Sequence, residues 1–225
     1  MKEGKSFFID TSQCIACRGC QVACKAWNQL PAENTINWGS LQNPKDLSCD
    51  TWKLVRFNEV NEEKLSWCFF QDQCRHCLNP PCKKVADEKA KGAITQDENT
   101  GAVIFNPKTK IKVADFMAIR ESCPYDIPRM HSENDTLSFC NMCVDRIRAG
   151  LLPVCVKTCS SRAMFFGDRA TVLKMAEKRL SEVKEIYKEA VLTDPNDVRV
   201  IFLLVTSPAN YHKYAVADKK IDFKR

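Results

Sequence analysis

Glycine is scarce. There are seven in 225 residues, and none forms a G-x-G-x-x-G loop, so the backbone cradle that a dinucleotide-binding fold places under a pyrophosphate is missing. Histidine is scarcer, at three, and no nucleophile–base motif can be built around them. Long apolar runs are absent too. The best, Val198 to Val205, is interrupted by Arg199, against the roughly 20 residues needed to cross a bilayer. The amino end lacks a signal-peptide pattern, because Met1 to Lys5 is polar and Phe7-Phe8-Ile9 is too short for an apolar core. These absences argue against a self-contained enzyme, a nucleotide-binding domain and a membrane-spanning protein.

What the chain has is cysteine, fourteen in all and grouped in tight bursts. A disulfide framework belongs to short secreted chains without a sizeable core, whereas this chain is long and 44% hydrophobic. Metal is the better reading. Cys14, Cys17, Cys20 and Cys24 have the spacing C-x2-C-x2-C-x3-C, that of the bacterial ferredoxin run. Three cysteines at two-residue gaps wrap a loop around one [4Fe-4S] cube. The fourth points away and serves a different cube, so each run needs a partner run.

The second burst is Cys74, Cys77 and Cys82 in QCRHCLNPPCKKVAD, with Ala86 where a fourth cysteine is expected. The third retains only its end, Cys123-Pro124, and counting back by the ferredoxin spacing gives Ile119, Phe116 and Val113. The fourth is Cys140, Cys143, Cys155 and Cys159, with its third gap enlarged. Pairing the first burst with the fourth yields Cys14, Cys17, Cys20 and Cys159 (cluster A), and Cys24, Cys140, Cys143 and Cys155 (cluster B). Pairing the second with the third yields Cys74, Cys77, Cys82 and Cys123 (cluster C). The remaining quartet, at 86, 113, 116 and 119, has no ligand at any position. All the losses therefore fall on one site, and three [4Fe-4S] clusters are predicted. Zinc is the rival, because C-x2-C pairs also make zinc ribbons. It leaves the short-gap triplets unexplained.

The lost socket is expected to be plugged. Val113, Phe116, Met117 and Ile119 lie in KVADFMAIRE, which reads as a short amphipathic helix able to fill the space, and an unfilled cavity costs about 24 cal/mol per Å3. Cys49 and Cys68 are left over and read as small buried hydrophobes. His131 and His212 read as incidental. His76 stands between two ligands, placed either to donate to a sulfur and tune its potential or to face solvent. The formal charge of +6 is accounted for by three clusters of roughly −2 each, with Arg18, Lys25, Arg75, Lys83, Arg146 and Lys157 among the cysteines. Nucleic acid is therefore not an expected partner.

The fold class expected is α+β: two interleaved ferredoxin-like modules with cluster-binding loops, then a C-terminal helix and strand. Residues 1–64 and 136–167 form the outer module with two clusters. Residues 65–135 form the inserted module with one, and 168–225 the C-terminal helix, strand and tail. Strands are expected at Lys5–Ile9, Arg162–Phe166 and Val198–Val205, and a helix over Val22–Leu30. A hairpin is expected about DENTG. A longer helix follows Asp168 as N-cap, carrying Val172, Ala176, Leu180, Val183 and Tyr187. Pro31 to Ser48 reads as a loop and a partner-contact segment.

The stretches CRGCQVACKAWN, TWKLVRF, DQCRHCLNPPCK, CPYDIPR, CNMCVDRIRAGLLPVCVKTC, AMFFGD, DPNDVRVIFL and YHKYAVA resemble the iron–sulfur (beta) subunits of molybdopterin-dependent oxidoreductases. Within that group the chain most resembles the beta subunits of soluble, two-subunit, tungsten- or molybdenum-dependent formate dehydrogenases. The likeness covers nearly the full length. It implies a non-catalytic electron-transfer subunit that takes electrons from a molybdopterin catalytic alpha subunit and passes them to a soluble acceptor such as a cytochrome c. It further implies a periplasmic heterodimer exported with its catalytic subunit, although the residues fit the cytoplasm equally. A beta subunit serving a sulfur-compound or dimethyl sulfoxide reductase, and a free-standing polyferredoxin, are the alternatives. Two departures stand out. Cys159-Ser160 replaces the family's usual Cys-Pro, and the polar tail after Ala217 predicts no direct contact with membrane quinone.

Overall fold

The computed structural model describes residues 3–61 and 65–218. The first two residues and the tail from position 219 lie outside them. The elements run β1 (Lys5–Asp10), α1 (Gly19–Trp27), β2 (Leu54–Asn61), β3 (Leu65–Asp72), α2 (Pro81–Lys89), β4 (Ile94–Gln96), β5 (Val103–Phe105) and α3 (Val113–Glu121). They continue with β6 (Arg129–His131), β7 (Thr136–Ser138), α4 (Val144–Arg148), α5 (Val154–Thr158), β8 (Met164–Asp168), α6 (Arg169–Lys184), β9 (Val191–Leu192) and β10 (Val200–Leu204). No helix among the described residues is long and apolar enough to cross a membrane.

One four-stranded sheet, in the order β8-β1-β10-β9, ties the two ends of the chain together. β10 is an apolar run buried along its whole length, and β1 is buried from Ser6 to Asp10 with Phe7-Phe8-Ile9 at its centre, the pattern of strands covered on both faces. They pair in parallel with Phe8 opposite Ile201, while β8 adds antiparallel with Phe165 opposite Phe8. α6 packs on β1 and β8 through Val172, Ala176 and Val183. The helix expected after Asp168 is thus present and packs on its own sheet. Tyr187 falls beyond its end and is exposed. Asp168 occupies the N-cap position without capping by its side chain, because its carboxylate instead accepts from Lys5 Nζ at 2.7 Å.

The hairpin about DENTG forms as β4 and β5. A second, longer hairpin, β2–β3, was not anticipated. Its strands are eight residues each, with polar residues interleaved in TWKLVRFNEV that obscure the run. The division expected between residues 64 and 65 falls at the start of β3. Residues 31–48 form no helix or strand.

Fewer of the side chains expected to plug the fourth socket are buried than the sequence suggests. Ala86 on α2 and Phe116 and Ile119 on α3 are buried in one apolar cluster, and the two helices pack together. Val113 and Met117 are instead 63% and 42% exposed. The reason is helical period: at about 100° per residue, the middle of the 116–119 pair lies roughly 110° round the helix from the middle of the 113–117 pair. Ile119→Ala is expected to destabilise the protein by about 2–5 kcal/mol, read as a lower midpoint in anaerobic urea unfolding. Val113→Ala is expected to change it little.

Candidate metal centres

The cysteine loops owe their shape to left-handed residues that are not glycine. Ala16, His76 and Met142 have φ of 53°, 48° and 63°, and each follows a leading cysteine by two positions. That conformation is uncommon for residues with a Cβ, and three loops adopt it alike. It turns the backbone N–H back onto sulfur: Ala16 N to Cys14 Sγ at 3.4 Å, and His76 N to Cys74 Sγ at 3.4 Å. The Met142 N–H serves Cys140 in the same way, and Ile127 N reaches Cys123 Sγ at 3.5 Å. Such donors favour the ionised sulfur.

Helix starts place the rest. Pro81 opens α2, where its missing N–H costs nothing, and puts Cys82 in the first turn. α1 opens at Gly19 and carries Cys20, then Cys24 one turn further on. Cys24 therefore does not point away from Cys20. It lies on the same face, offset by about 6 Å along the axis, and reaches a different neighbourhood by translation. Cys155 on α5 and Cys159 at its end have the same four-residue offset, and α5 packs against α1.

The electrostatic neighbours of each thiol sort the cysteines. Burial, then Cys155, Cys14 and Cys159, push Cys20 up to about 12, against Lys53 pulling down. Cys14 is raised by burial and by Cys159 and Cys17. Cys24 is driven well above the ordinary thiol range by burial and then by Cys140, Cys155 and Cys143. Cys77 is raised likewise by burial and then by Cys123, Cys82 and Cys74. Three contacts run between the expected quartets: Cys20 feels Cys155 ahead of Cys14 and Cys159, Cys155 feels Cys159, and Cys140 feels Cys74. Most of these thiols are buried, whereas Cys17 is exposed.

These neighbourhoods suit a polynuclear centre. None of the fourteen cysteines forms a disulfide. Among the described residues, no three of the twelve sulfurs assigned to clusters lie mutually within 4.8 Å. Four thiolates on one zinc at about 2.3 Å would stand only about 4 Å apart. Polar groups also stand beside the sulfurs. Gln71 is fully buried with its amide turned to the Cys14 sulfur, and Gln73 Nε2, next in the chain to Cys74, has no hydrogen-bond partner. A donor orphaned next to thiols fits an acceptor supplied by a cluster.

Two buried groups, Lys53 and Asp72, are not singled out by the sequence, and the structure decides between the two placements expected for His76. Lys53 is 2% exposed, and its ammonium donates to Gln73 Oε1. Burial pulls its pKa down, but Cys155, Cys20, Cys140 and Cys24 together hold it above the ordinary lysine value. Asp72, kept near 2 by Arg75 and Arg56 against the upward pull of burial, bridges Arg56 Nε at 2.7 Å and Arg75 Nη1 at 2.9 Å. Arg75 lies about 5 Å from the ring centres of Phe70, Tyr125 and Phe202. His76 does not face solvent: it is fully buried, and burial lowers its pKa to about 3. A charged residue inside an apolar strand pattern, as in TWKLV, is the one sequence signal that could have marked Lys53. His212 is half-buried, 4.0 Å from Asp72.

Of the leftover cysteines, Cys68 is buried among apolar neighbours as expected. Cys49 is not a buried hydrophobe. It is half-exposed, its thiol 3.6 Å from Asp50 Oδ2, with His131 close by.

Comparison with known proteins agrees with this chemistry. Residues 65–169 match the family model of the 4Fe-4S dicluster domain. The chain is 50% identical to the formate dehydrogenase subunit beta of Megalodesulfovibrio gigas, covering 95% of this chain and 99% of that one. It is 49% identical to the formate dehydrogenase 2 subunit beta (cytochrome c-553) of Nitratidesulfovibrio vulgaris, over 94% and 98%. Identity to the formate dehydrogenase-O iron-sulfur subunit of Escherichia coli is 39%, over 91% of this chain and 68% of that one. With thiols gathered for iron–sulfur centres in an α+β, ferredoxin-like frame, the chain belongs to the family of formate dehydrogenase beta subunits, the iron–sulfur electron-transfer subunits that are not catalytic by themselves.

Proposed function

We propose that this chain carries electrons from a tungsten- or molybdenum-molybdopterin catalytic subunit that oxidises formate, by way of three [4Fe-4S] clusters, to a soluble acceptor such as a cytochrome c. The observation that carries this reading is the gathering of buried thiols into adjoining groups, with Cys20, Cys155 and Cys159 at one junction and Cys140 and Cys74 at another. Cys14, Cys17, Cys20 and Cys159 would hold cluster A. Cys24, Cys140, Cys143 and Cys155 would hold cluster B, and Cys74, Cys77, Cys82 and Cys123 cluster C. A cluster bound at each quartet supplies storage for a single electron. Quartet B is the middle one, because Cys155 and Cys140 border the quartets on either side. The outer module contributes A and B, and the inserted module C.

Entry at A is supported by the surface around it. Cys17 is exposed, and Ile15, Val22, Trp27, Leu41, Leu151 and Leu152 present large apolar side chains to solvent. α1 is tied to the 31–48 segment by Arg18 Nη1 to Leu41 O at 3.1 Å and Gln21 Nε2 to Asn43 O at 2.8 Å. Exposed apolar area of this kind marks a partner surface, here that of the catalytic subunit, in a heterodimer. Export to the periplasm in company with that subunit is part of the proposal. Fractionation of cells lacking the partner's export signal should then trap both chains in the cytoplasm.

Iron and acid-labile sulfide analysis of the anaerobic protein tests the central reading. About twelve of each per chain are expected, at four per cubane, with three reducible EPR signals. About sixteen, or zinc in place of iron, would defeat it.

A further inference from the structure

His76 belongs by position to one quartet and by its side chain to another. It sits between Cys74 and Cys77, in a loop whose left-handed turn at His76 (φ 48°) sends its own N–H to Cys74. The imidazole runs the other way. Nδ1 accepts the Val103 N–H from β5 at 3.0 Å. A nitrogen that accepts carries no proton, so the neutral ring holds its proton on Nε2. Nε2 lies 3.6 Å from Cys140 Sγ. The ring is fully buried and gripped at both ends, so its tautomer and direction are fixed by the strand rather than by solvent.

We propose that His76 is a positioning residue that donates an Nε2–H···S hydrogen bond to Cys140 and thereby raises the reduction potential of the cluster Cys140 ligates, although His76 lies in the loop of the neighbouring cluster. A donor on a ligating sulfur withdraws negative charge and favours the more negative, reduced state. The consequence is directional. The middle quartet is made easier to reduce by a residue anchored in the terminal one, which helps to seat an electron between the two ends. This inference rests on the quartet assignment proposed above. That assignment fails at iron and sulfide analysis, before any potential is read.

The test is a redox-poised EPR titration of the complete, anaerobic complex for the unsubstituted protein, His76→Phe and His76→Gln. Cys140→Ser and Cys74→Ser, made separately, identify the two signals concerned by perturbing or abolishing them. His76→Phe is expected to lower the reduced-to-oxidised ratio of the Cys140 signal about tenfold at fixed potential, or 59 mV for one electron. The Cys74 signal should stay in place. His76→Gln keeps a donor and an acceptor, and is expected to recover most of the shift. If the signal that moves is the one Cys74→Ser perturbs, or if none moves at full iron content, the proposal is overturned. A spectroscopic arm needs no variant at position 76. With 15N-histidine labelling, pulsed EPR of the unsubstituted protein should detect an imidazole nitrogen coupled to the Cys140 signal, and the absence of that coupling overturns the proposal as well.

Discussion

Lys53→Met is expected to lower the reduction potentials of clusters A and B together while leaving cluster C where it was. Lys53 stands just before β2 and is 2% exposed. Its ammonium is held at Gln73 among Cys155, Cys20, Cys140 and Cys24, one from the quartet proposed for A and three from the quartet proposed for B. A buried lysine ordinarily loses its proton, because the charged form is the one that burial penalises. Here the sulfur charges more than offset that penalty, so the ammonium stays charged and offers the sulfurs a fixed counter-charge. With an effective dielectric constant of 20 and a separation on the order of 6 Å, one unit charge contributes about 3 kcal/mol. That corresponds to roughly a hundredfold change in the reduction equilibrium of each neighbouring cluster. Redox titration followed by EPR measures it. If the variant loads poorly, the loss should be confined to A and B, leaving about four irons per chain. An equal shift in all three clusters, or no shift, would show that Lys53 is merely a packed side chain.

The second large effect is expected from Asp72→Asn. Asp72 closes β3 at 1% exposure, between Arg56 and Arg75. Arg56 goes on to Asp46 at 2.5 Å, and Asp46 to Arg129 at 3.1 Å, so the carboxylate is the buried joint of a chain of charges. Removing one partner of a buried pair strands the others, at a cost of about 3–5 kcal/mol. Arg75 cannot turn to solvent, because it is enclosed by Phe70, Tyr125 and Phe202 and its Nη2 donates to Tyr214 O at 3.1 Å. The Asn variant should therefore unfold at markedly lower urea, and its Cys74 cluster should be the first lost on standing. The pH dependence has a definite sign. The folded-state pKa of Asp72 is depressed to about 2, so its contribution is present above about pH 4 and disappears as pH falls toward 2. The Asn variant lacks that part of the acid dependence. Unchanged unfolding in both urea and acid would refute the role assigned to this carboxylate.

Much was legible in the chain before folding. The cysteine intervals point to iron–sulfur chemistry because an iron–sulfur loop is a local object, made by a few residues wrapping one centre. The strands at either end of the chain and the helix after Asp168 were readable for a similar reason: apolar period is a local signal, and Val172, Ala176 and Val183 keep it. Positions 86, 113, 116 and 119 lack any ligand in the sequence. They could not show which of their side chains are buried. That depended on how α3 is rotated against α2, which buries Phe116 and Ile119 and turns Val113 and Met117 outward.

What only the tertiary structure decided lies between segments. Lys53, Gln71 and Asp72 read as ordinary polar residues in sequence, and His76 reads equally as a sulfur donor or a solvent-facing ring until packing decides. His76 meets Cys140 across 64 positions. Lys53 meets Cys155 only after the α1–α5 pair and the β2–β3 hairpin have come together. Charge and hydrogen bonding act through space in a medium of low dielectric constant, so the side chains that set a cluster's potential are chosen by packing. The cysteines that hold it are chosen by spacing.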